Sequence, residues 1–583
     1  MDNETRQCEN CKTKFIIEPD DFSFYQKMGV SPPTRCPRCR RIRRLSFRND
    51  RDFYRRACDL CRRNIIALYP AESKTPVYCA KCWWSDAWNP LQYGQAYDPG
   101  GSFFEQCKEI FDKVPTIAMQ NDDGVGSVNC EYTTDWWYSK NCYMAMCGWQ
   151  SENVFHSYHI EYGKDVADSA HLKNCEWAYE CAGGTKCSKC KYCTFCHDCH
   201  NCFLSYDLRG CSDCVMCAGL RNKQLCILNK QYSKEEYARR IAELKLESRA
   251  AVEGHQKTFG SFIKDFPRRY AQIFKSVQST GDELMNCKNA KDCYFGNALE
   301  NCKFIVLNDG AKETYDCNAV GHPELCYENI TSDHSNHCAG TIFSVKCREV
   351  FYSSNCPGTE HLMGCAGLKK GSHAILNTQY AAEEYEKLKS KIIENMKKRG
   401  EWGEFFPETM TPFAYNESLA YEFDPLTREE AAERGFRWKE ERTRDYKATL
   451  SPDNIPDTIS EVKDGILNEI IGCANAQTFR EKCTTAFRLM PDELRFYRAM
   501  DIPVPKYCPN CRHFARIKQC NPPRLYHRAC MCNAADGEKS RMYNNIAEHF
   551  HGDSPCPNEF ETSYSPERPE IVYCEDCYNA GVV

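Results

Sequence analysis

The sequence predicts a mostly β, multi-domain chain in which zinc ribbons at both ends flank two cysteine-rich β-solenoid blocks with helical closures. Three observations predict it. Paired CxxC motifs recur near both termini, the central cysteines fall on every third residue, and a helix-forming stretch follows each central block. With 583 residues, 42% of them hydrophobic, the chain is long enough to bury several separate cores.

At the N-terminal end, Cys8-x2-Cys11 is followed by Cys36-x2-Cys39, and Cys58-x2-Cys61 by Cys79-x2-Cys82. A CxxC turn aims two sulfurs at one ion, and a second turn across a short hairpin completes the four-thiolate cage that suits Zn²⁺. Residues 1–86 are therefore expected to be tandem four-cysteine zinc ribbons, followed by a linker over 87–128 with a short helix near 102–113. The C-terminal module, 471–583, reads as a duplicate of 1–86. Adding 472 carries Cys11, Cys36, Cys39 and Cys58 onto Cys483, Cys508, Cys511 and Cys530, and Phe24, Tyr25 and Met28 onto Phe496, Tyr497 and Met500. After an insertion of 23 residues the offset becomes 495, and Cys61, Cys79 and Cys82 fall on Cys556, Cys574 and Cys577. The copy departs at Cys8, which maps to Arg480, so the third site either recruits Cys473 or is incomplete. Cys532 and the histidines of EHFHGD compete for a place in the fourth. About four Zn²⁺ are expected, one per quartet.

The segment CENCKTKFIIEPDDFSFYQKMGVSPPTRCPRCRR, with its FY and RCPxCR landmarks, resembles the "probable zinc-binding" ribbon domain. The ending NEFETSYSPERPEIVYCEDCYNAGV, with NKQYSKEEY and WGEFFP inside the chain, is similar to an uncharacterised cysteine-rich bacterial protein family carrying that domain. The resemblance implies zinc binding and a shared architecture, and it implies no activity.

Between the ends the cysteines follow a triplet rule. The twelve from Cys175 to Cys226 all leave remainder one on division by three, and the nine from Cys287 to Cys365 all leave remainder two. Chance would align the nine about once in 6,500 trials, so a repeat is expected. The other residues on each phase are small or apolar, which marks an inward row. Neither a helix nor a flat strand has period three, whereas a solenoid built of short sides and bends does. Solenoid blocks are expected over 129–228 and 286–376, with their cysteines acting as small packing residues. The blocks are copies as well, since CAGLRNKQLCILNKQYSKEEY matches CAGLKKGSHAILNTQYAAEEY at an offset of 148. Cys226 becomes Ala374 there, a change that packing tolerates and ligation does not. A helical connector is expected over 229–285, with Ser233 and Glu236 forming a capping box, then a helix over 377–398 and an irregular linker over 399–470.

The densest run, CSKCKYCTFCHDCHNC, contains Cys-x2-Cys-His matches to haem attachment and a partial iron–sulfur spacing, but a filled period-three row makes CxxC unavoidable. Extra zinc on 187–202, with His197 or His200, stays open beside plain packing. All 43 cysteines, with an N-terminus lacking a basic start and apolar run, point to a reducing, cytoplasmic setting and away from export or the membrane. The net charge of −5 falls to −13 once four zinc centres, each with four thiolates, contribute −2 apiece, so nucleic-acid contact would need a local patch. Twelve arginines lie between Arg35 and Arg63, and Arg40, Arg41, Arg43, Arg44, Arg48, Arg51, Arg55 and Arg56 interleave with aromatic residues, a mixture suited to phosphate contact and base stacking. The alternative is that they screen the thiolate centres. No phosphate loop, HExxH or GxSxG motif occurs, and no enzyme is expected. The expected role is a zinc-binding scaffold that binds a macromolecule, RNA or a ribosomal particle first, through the arginine-rich ribbon face. The alternatives are a protein–protein assembly scaffold using the solenoid face and a thiol-rich metal-handling or redox protein. No small-molecule substrate is indicated.

Overall fold

The computed structural model describes residues 2–173, 176–185, 188–440, 446–475, 482–533 and 547–582. Cys175 and Cys187, both members of the triplet row, lie outside the described residues. Among the described residues the chain is mostly β, with short strands in small sheets and twelve α-helices. No helix among them is long and apolar enough to cross a membrane.

The chain forms two compact units that interleave in sequence. One comprises Met1–Gln120 and Gln272–Glu440, the other Asn121–Ala271 and Glu441–Val583. The N-terminal cysteine module therefore shares a unit with the second central block, and the C-terminal module with the first. Read along the sequence, these segments look like consecutive independent domains.

The triplet phase has a direct backbone counterpart. In the first block Asn129, Tyr132, Asp135, Tyr138, Asn141 and Met144 all have φ near +50°, and the alternation continues through the block. In the second block the same conformation recurs at Glu283, Asn286, Asn289, Asp292 and Phe295. Each left-handed residue bends the chain and turns the next side chain inward. Those next positions are the cysteine phase, and Cys130, Cys142, Val154, Ile160 and Val166 are buried, as are Cys287, Ala290, Cys293 and Cys302. A left-handed non-glycine residue costs roughly 1 kcal/mol, so the bends persist because the rows they build are packed and paired.

Pairing is parallel with a shift of twelve residues, eleven where Ile273–Phe274 meets Leu284–Met285 at the start of the second block. Val128–Glu131, Lys140–Tyr143, Glu152–Phe155, Lys164–Ala167 and Glu176–Tyr179 form one five-stranded sheet. Thr134–Trp137, Met146–Trp149, Tyr158–Glu161, Ala170–Lys173 and Ala182–Thr185 form another. Representative partners are Met146 with Tyr158 and Val154 with Val166. In the second block Cys293–Lys303 pairs with Val306–Asn318, placing Leu299 beside Ala311 and Cys302 beside Thr314. Side chains stack on the same register: Asn129, Asn141, Asn153 and Asp165 are joined by amide bonds of 3.2, 3.2 and 2.8 Å. Gly281 is required where it stands, because its φ is +132° and a Cβ would sit 1.7 Å from the Cys293 carbonyl oxygen.

Both blocks end alike. Gln224–Ile227 turns back onto Lys230–Gln231, and Gly371–Ile375 onto Thr378–Gln379, the only kind of antiparallel pairing described in either block. The reversal is held by Asn229 and Asn377, each in left-handed conformation and each accepting a 2.8 Å bond from an alanine N–H, that of Ala218 and Ala366. Helices Lys234–Leu244 and Ala382–Arg399 follow. Ser233 caps the first, accepting from the Glu236 N–H at 3.2 Å, while Ala381 in the copy offers no side-chain cap.

Candidate metal centres

Four groups of four cysteines converge near the termini, each with all its sulfurs within 4.8 Å of one another: Cys8, Cys11, Cys36 and Cys39; Cys58, Cys61, Cys79 and Cys82; Cys473, Cys483, Cys508 and Cys511; Cys530, Cys556, Cys574 and Cys577. All sixteen ligand candidates of the sequence analysis are therefore brought together. Each group can hold a metal ion.

The two N-terminal groups are each built from two local devices, the second of which recurs at Cys508. The first CxxC lies in a tight turn between antiparallel strands, Glu4–Gln7 with Lys14–Ile17 or Tyr54–Ala57 with Asn64–Ala67. Lys12 and Arg62 take the left-handed conformation these turns demand, and their N–H groups bond back to the Cys8 and Cys58 carbonyls at 3.0 and 2.9 Å. The second CxxC opens a helix: Cys36, Cys79 and Cys508 are the N-caps of Pro37–Leu45, Ala80–Trp84 and Pro509–Ile517. A helix N-terminus favours negative charge, so it suits a thiolate. Backbone N–H groups also point at sulfur, from Cys79 to Cys58 at 3.3 Å, Cys508 to Cys473 at 3.2 Å and Cys574 to Cys530 at 3.2 Å.

In the third group Cys473 takes the place of the missing Cys8 equivalent. It follows the short strand Ile471–Gly472, and its sulfur is 3.8 Å from that of Cys511. Of the two readings the sequence left open, the complete quartet is the one found.

Within a group the close sulfurs divide into lowered and raised thiols. Hydrogen bonds from Cys39 pull the Cys36 thiol down to about 5, and the same contact drives Cys39 far above its ordinary value. Cys574 is drawn down to about 4 chiefly by Cys530, which is pushed up in turn. Four sulfurs at 3.5–4.0 Å, as in the Cys556–Cys577 and Cys61–Cys79 pairs, cannot all be thiolates unless a positive ion sits among them. The second group differs by exposure. Cys61 is open to solvent, and Arg63 holds its thiol down to about 6 by a 3.4 Å bond. This group is expected to give up its ion first: a chromogenic chelator should show one fast equivalent, absent after Cys61→Ser.

The central cysteines behave otherwise. Burial pushes Cys347 up to about 11 and Cys302 and Cys365 up to about 12, so they remain thiols. Each thiol instead faces carbonyls of its own and the next layer; Cys293 meets the Lys291 and Cys302 oxygens at 3.3 and 3.6 Å. A small weak donor fits that row, which alanine and serine also occupy at Ala145, Ala290, Ser151 and Ser157. Cys130 and Cys199 depart from this, the first lowered by a hydrogen bond from Cys142 and the second pulled down to about 4 by bonds from Cys196 and Cys202.

The arginines require a correction. Arg40, Arg41, Arg43, Arg44, Arg48, Arg51 and Arg56 are buried, and of the eight residues expected at a nucleic-acid face only Arg55 is exposed. Arg40 and Arg44 both reach Asp316, at 2.8 and 3.1 Å, and Arg44 also reaches Glu328 at 2.7 Å. Arg43 bridges Glu328 and Glu404 at 3.2 and 2.9 Å, and Arg41 meets Asp424 at 2.8 Å. Arg48 pairs with Asp50, Arg51 with Glu422 and Arg56 with Asp59. Burial alone would lower the Arg40 pKa, and Asp316 with Tyr25 and Tyr327 more than reverses it. These guanidiniums do not coat a surface: Arg40, Arg43 and Arg44 fasten the cysteine module to the second block, and the others pair within the module or with Glu422 and Asp424.

The other unit repeats the centre of this arrangement, although Arg41, Arg43 and Arg48 give way there to His513, Ala515 and Cys520. Offsets of 472 and 148 carry Arg40, Arg44 and Asp316 onto Arg512, Arg516 and Asp168, counting the last backwards. Arg512 and Arg516 both pair with Asp168, the latter at 2.9 Å. Tyr25 meets Tyr327 edge-on at 5.5 Å, and their counterparts Tyr497 and Tyr179 do so at 5.9 Å. Nothing local in the sequence marks Asp316, Glu328 and Asp168, because their partners are hundreds of residues away. The signal was present only as the two offsets taken together.

No protein-family model matches this chain, and no curated protein or solved structure matches it. The likeness of its ends to a zinc-binding ribbon family is thus a likeness of motifs, and no family membership is assigned.

Proposed function

We propose that this chain is a zinc-binding scaffold whose two β-solenoid blocks, each clamped by a pair of four-cysteine zinc ribbons, present a docking face to a protein partner. Four thiolates at tetrahedral spacing suit Zn²⁺, and such a site leaves no position for a reacting water, so the role is structural and no catalytic step is assigned. The solenoid reading is supported by the twelve-residue parallel register, the left-handed residue at every third position and the inward thiol row. A cytoplasmic setting accords with so many free thiols.

The observation that carries the preference for a protein is an exposed aromatic patch on the first block. Tyr138 and Tyr162 are each 52% exposed and stand two layers apart, with Trp149 packed 5.0 Å from Tyr138. Val125 and Val128, at the start of the same block, are also more than half exposed. Exposed aromatic clusters of this kind anchor protein interfaces. RNA or a ribosomal particle was favoured through arginines that are engaged with carboxylates, so it takes second place.

The full chain and a Tyr138→Ser/Tyr162→Ser variant, purified by the same tag from native cells, separate these readings. A protein that co-purifies with the first and is depleted at least tenfold from the second is expected, with metal content unchanged. Equal recovery from both, or nucleic acid released by salt, would overturn the reading.

A further inference from the structure

The fourth cysteine quartet has neighbours that its N-terminal counterpart lacks. Cys532, His549, His551 and Cys577 place one ligand atom each within 4.8 Å of all the others. The Cys532 sulfur is 3.8 Å from His549 Nδ1, and the Cys577 sulfur is 3.3 Å from His551 Nε2. Bond lengths of about 2.3 Å to sulfur and about 2.0 Å to nitrogen put the donors of a tetrahedral zinc site about 3.3–3.8 Å apart, with sulfur–nitrogen pairs near the middle of that range. The observed spacings match.

Three details point to ligation rather than incidental packing. His551 Nδ1 lies 2.6 Å from the Ser554 carbonyl, which can only accept, so that nitrogen carries the proton and Nε2 turns its lone pair toward Cys577. A histidine held in this way by a carbonyl is the usual posture of a metal ligand. Secondly, Cys532 is buried and stands where the N-terminal copy has Leu60, so the fold itself accepts an apolar residue there. Thirdly, both histidines belong to the 23-residue insertion that separates this copy from the other. One substitution and one insertion have brought three donors to a single point beside an existing quartet.

Cys577 belongs to both groups, its sulfur also lying 3.5 Å from that of Cys556. We propose that the fourth quartet is half of a dinuclear centre, in which a second Zn²⁺ is held by Cys532, His549, His551 and the bridging thiolate of Cys577. Binding releases the Cys532 thiol proton to solvent and forms four bonds to the ion, two of them to neutral imidazole. The second ion adds +2 against one further thiolate, so the centre moves from −2 to −1. That relieves the repulsion among the crowded sulfurs and explains how Cys577 can serve two ions.

The proposal rests on the reading that the fourth quartet binds metal, and the test keeps the two apart. Zinc bound per full-length chain is counted by native mass spectrometry for wild type, for Cys532→Leu/His549→Ala/His551→Ala, and for Cys530→Ser. The triple variant is expected to hold one ion fewer than wild type and to keep the rest, and Cys530→Ser to lose at least one. Equal counts in wild type and the triple variant overturn the dinuclear centre, while an unchanged count in Cys530→Ser overturns the quartet beneath it. Should the triple variant aggregate, His549→Ala alone reads the same difference, because its loop position is only half-buried.

Discussion

Asp316→Ala will destabilise the unit containing the N-terminal module by about 3–5 kcal/mol, the cost of leaving buried charges without their partner. Arg40 and Arg44 both close on this carboxylate, at 2.8 and 3.1 Å, and neither side chain is more than 2% exposed. Glu328 remains for Arg44 at 2.7 Å, but Arg40 keeps only a 3.9 Å contact to it. A guanidinium cannot neutralise itself by losing a proton as a lysine would, so Arg40 must either stay buried with its bond to the Arg35 carbonyl at 2.6 Å and no close counter-charge, or drag its helix outward. Urea unfolding followed by tryptophan fluorescence measures the loss. The same change at Asp168 should reproduce it in the other unit, where Arg512 and Arg516 share that acid. A loss below about 1 kcal/mol in both, against the 3–5 kcal/mol expected of a broken buried pair, would mean that the arginine helices do not fasten the modules.

Removing one metal ligand should have a larger effect. Cys36→Ser is expected to release one ion and with it most of the roughly 10 kcal/mol that metal binding contributes to folding a small ribbon. Cys36 also caps the helix Pro37–Leu45, whose Arg40, Arg43 and Arg44 reach Asp316 and Glu328, so the loss of the ion also loosens the clamp. Amide exchange should rise across 4–17 and 36–45 while the ladder from Cys293 to Asn318 stays protected. Cys347→Ala, by contrast, removes a buried thiol that bonds to carbonyls, and is expected to cost about 1 kcal/mol with no change in metal.

What could be read from the sequence follows the range of the interaction responsible. The CxxC pairs were legible because a tight turn and a helix N-terminus are local, and the spacing within each pair reports them directly. The inward row was legible because the left-handed bend recurs with the same short period as the residues it turns inward. Cys473 was only half legible: its spacing to Cys483 is irregular, and only the cage that it completes, 3.8 Å from Cys511, distinguishes it from a stray thiol. The arginines were misjudged for a physical reason. Arg40 and Asp316 are 276 positions apart, and nothing in a run of cations discloses a buried carboxylate waiting elsewhere in the chain. Acidity overall, with twelve arginines gathered in 29 residues, fits an internal clamp as well as it fits a phosphate-binding strip.

The central claim is that the cysteines fall into two classes, ligands at the ends and packing thiols within the blocks. Elemental analysis of zinc per chain, run side by side on wild type, Cys36→Ser and a Cys293→Ala/Cys347→Ala double variant, tests it most directly. The predicted result is at least four ions in wild type, one fewer in Cys36→Ser and an unchanged number in the double variant. Loss of zinc from the double variant, or none from Cys36→Ser, would contradict the division.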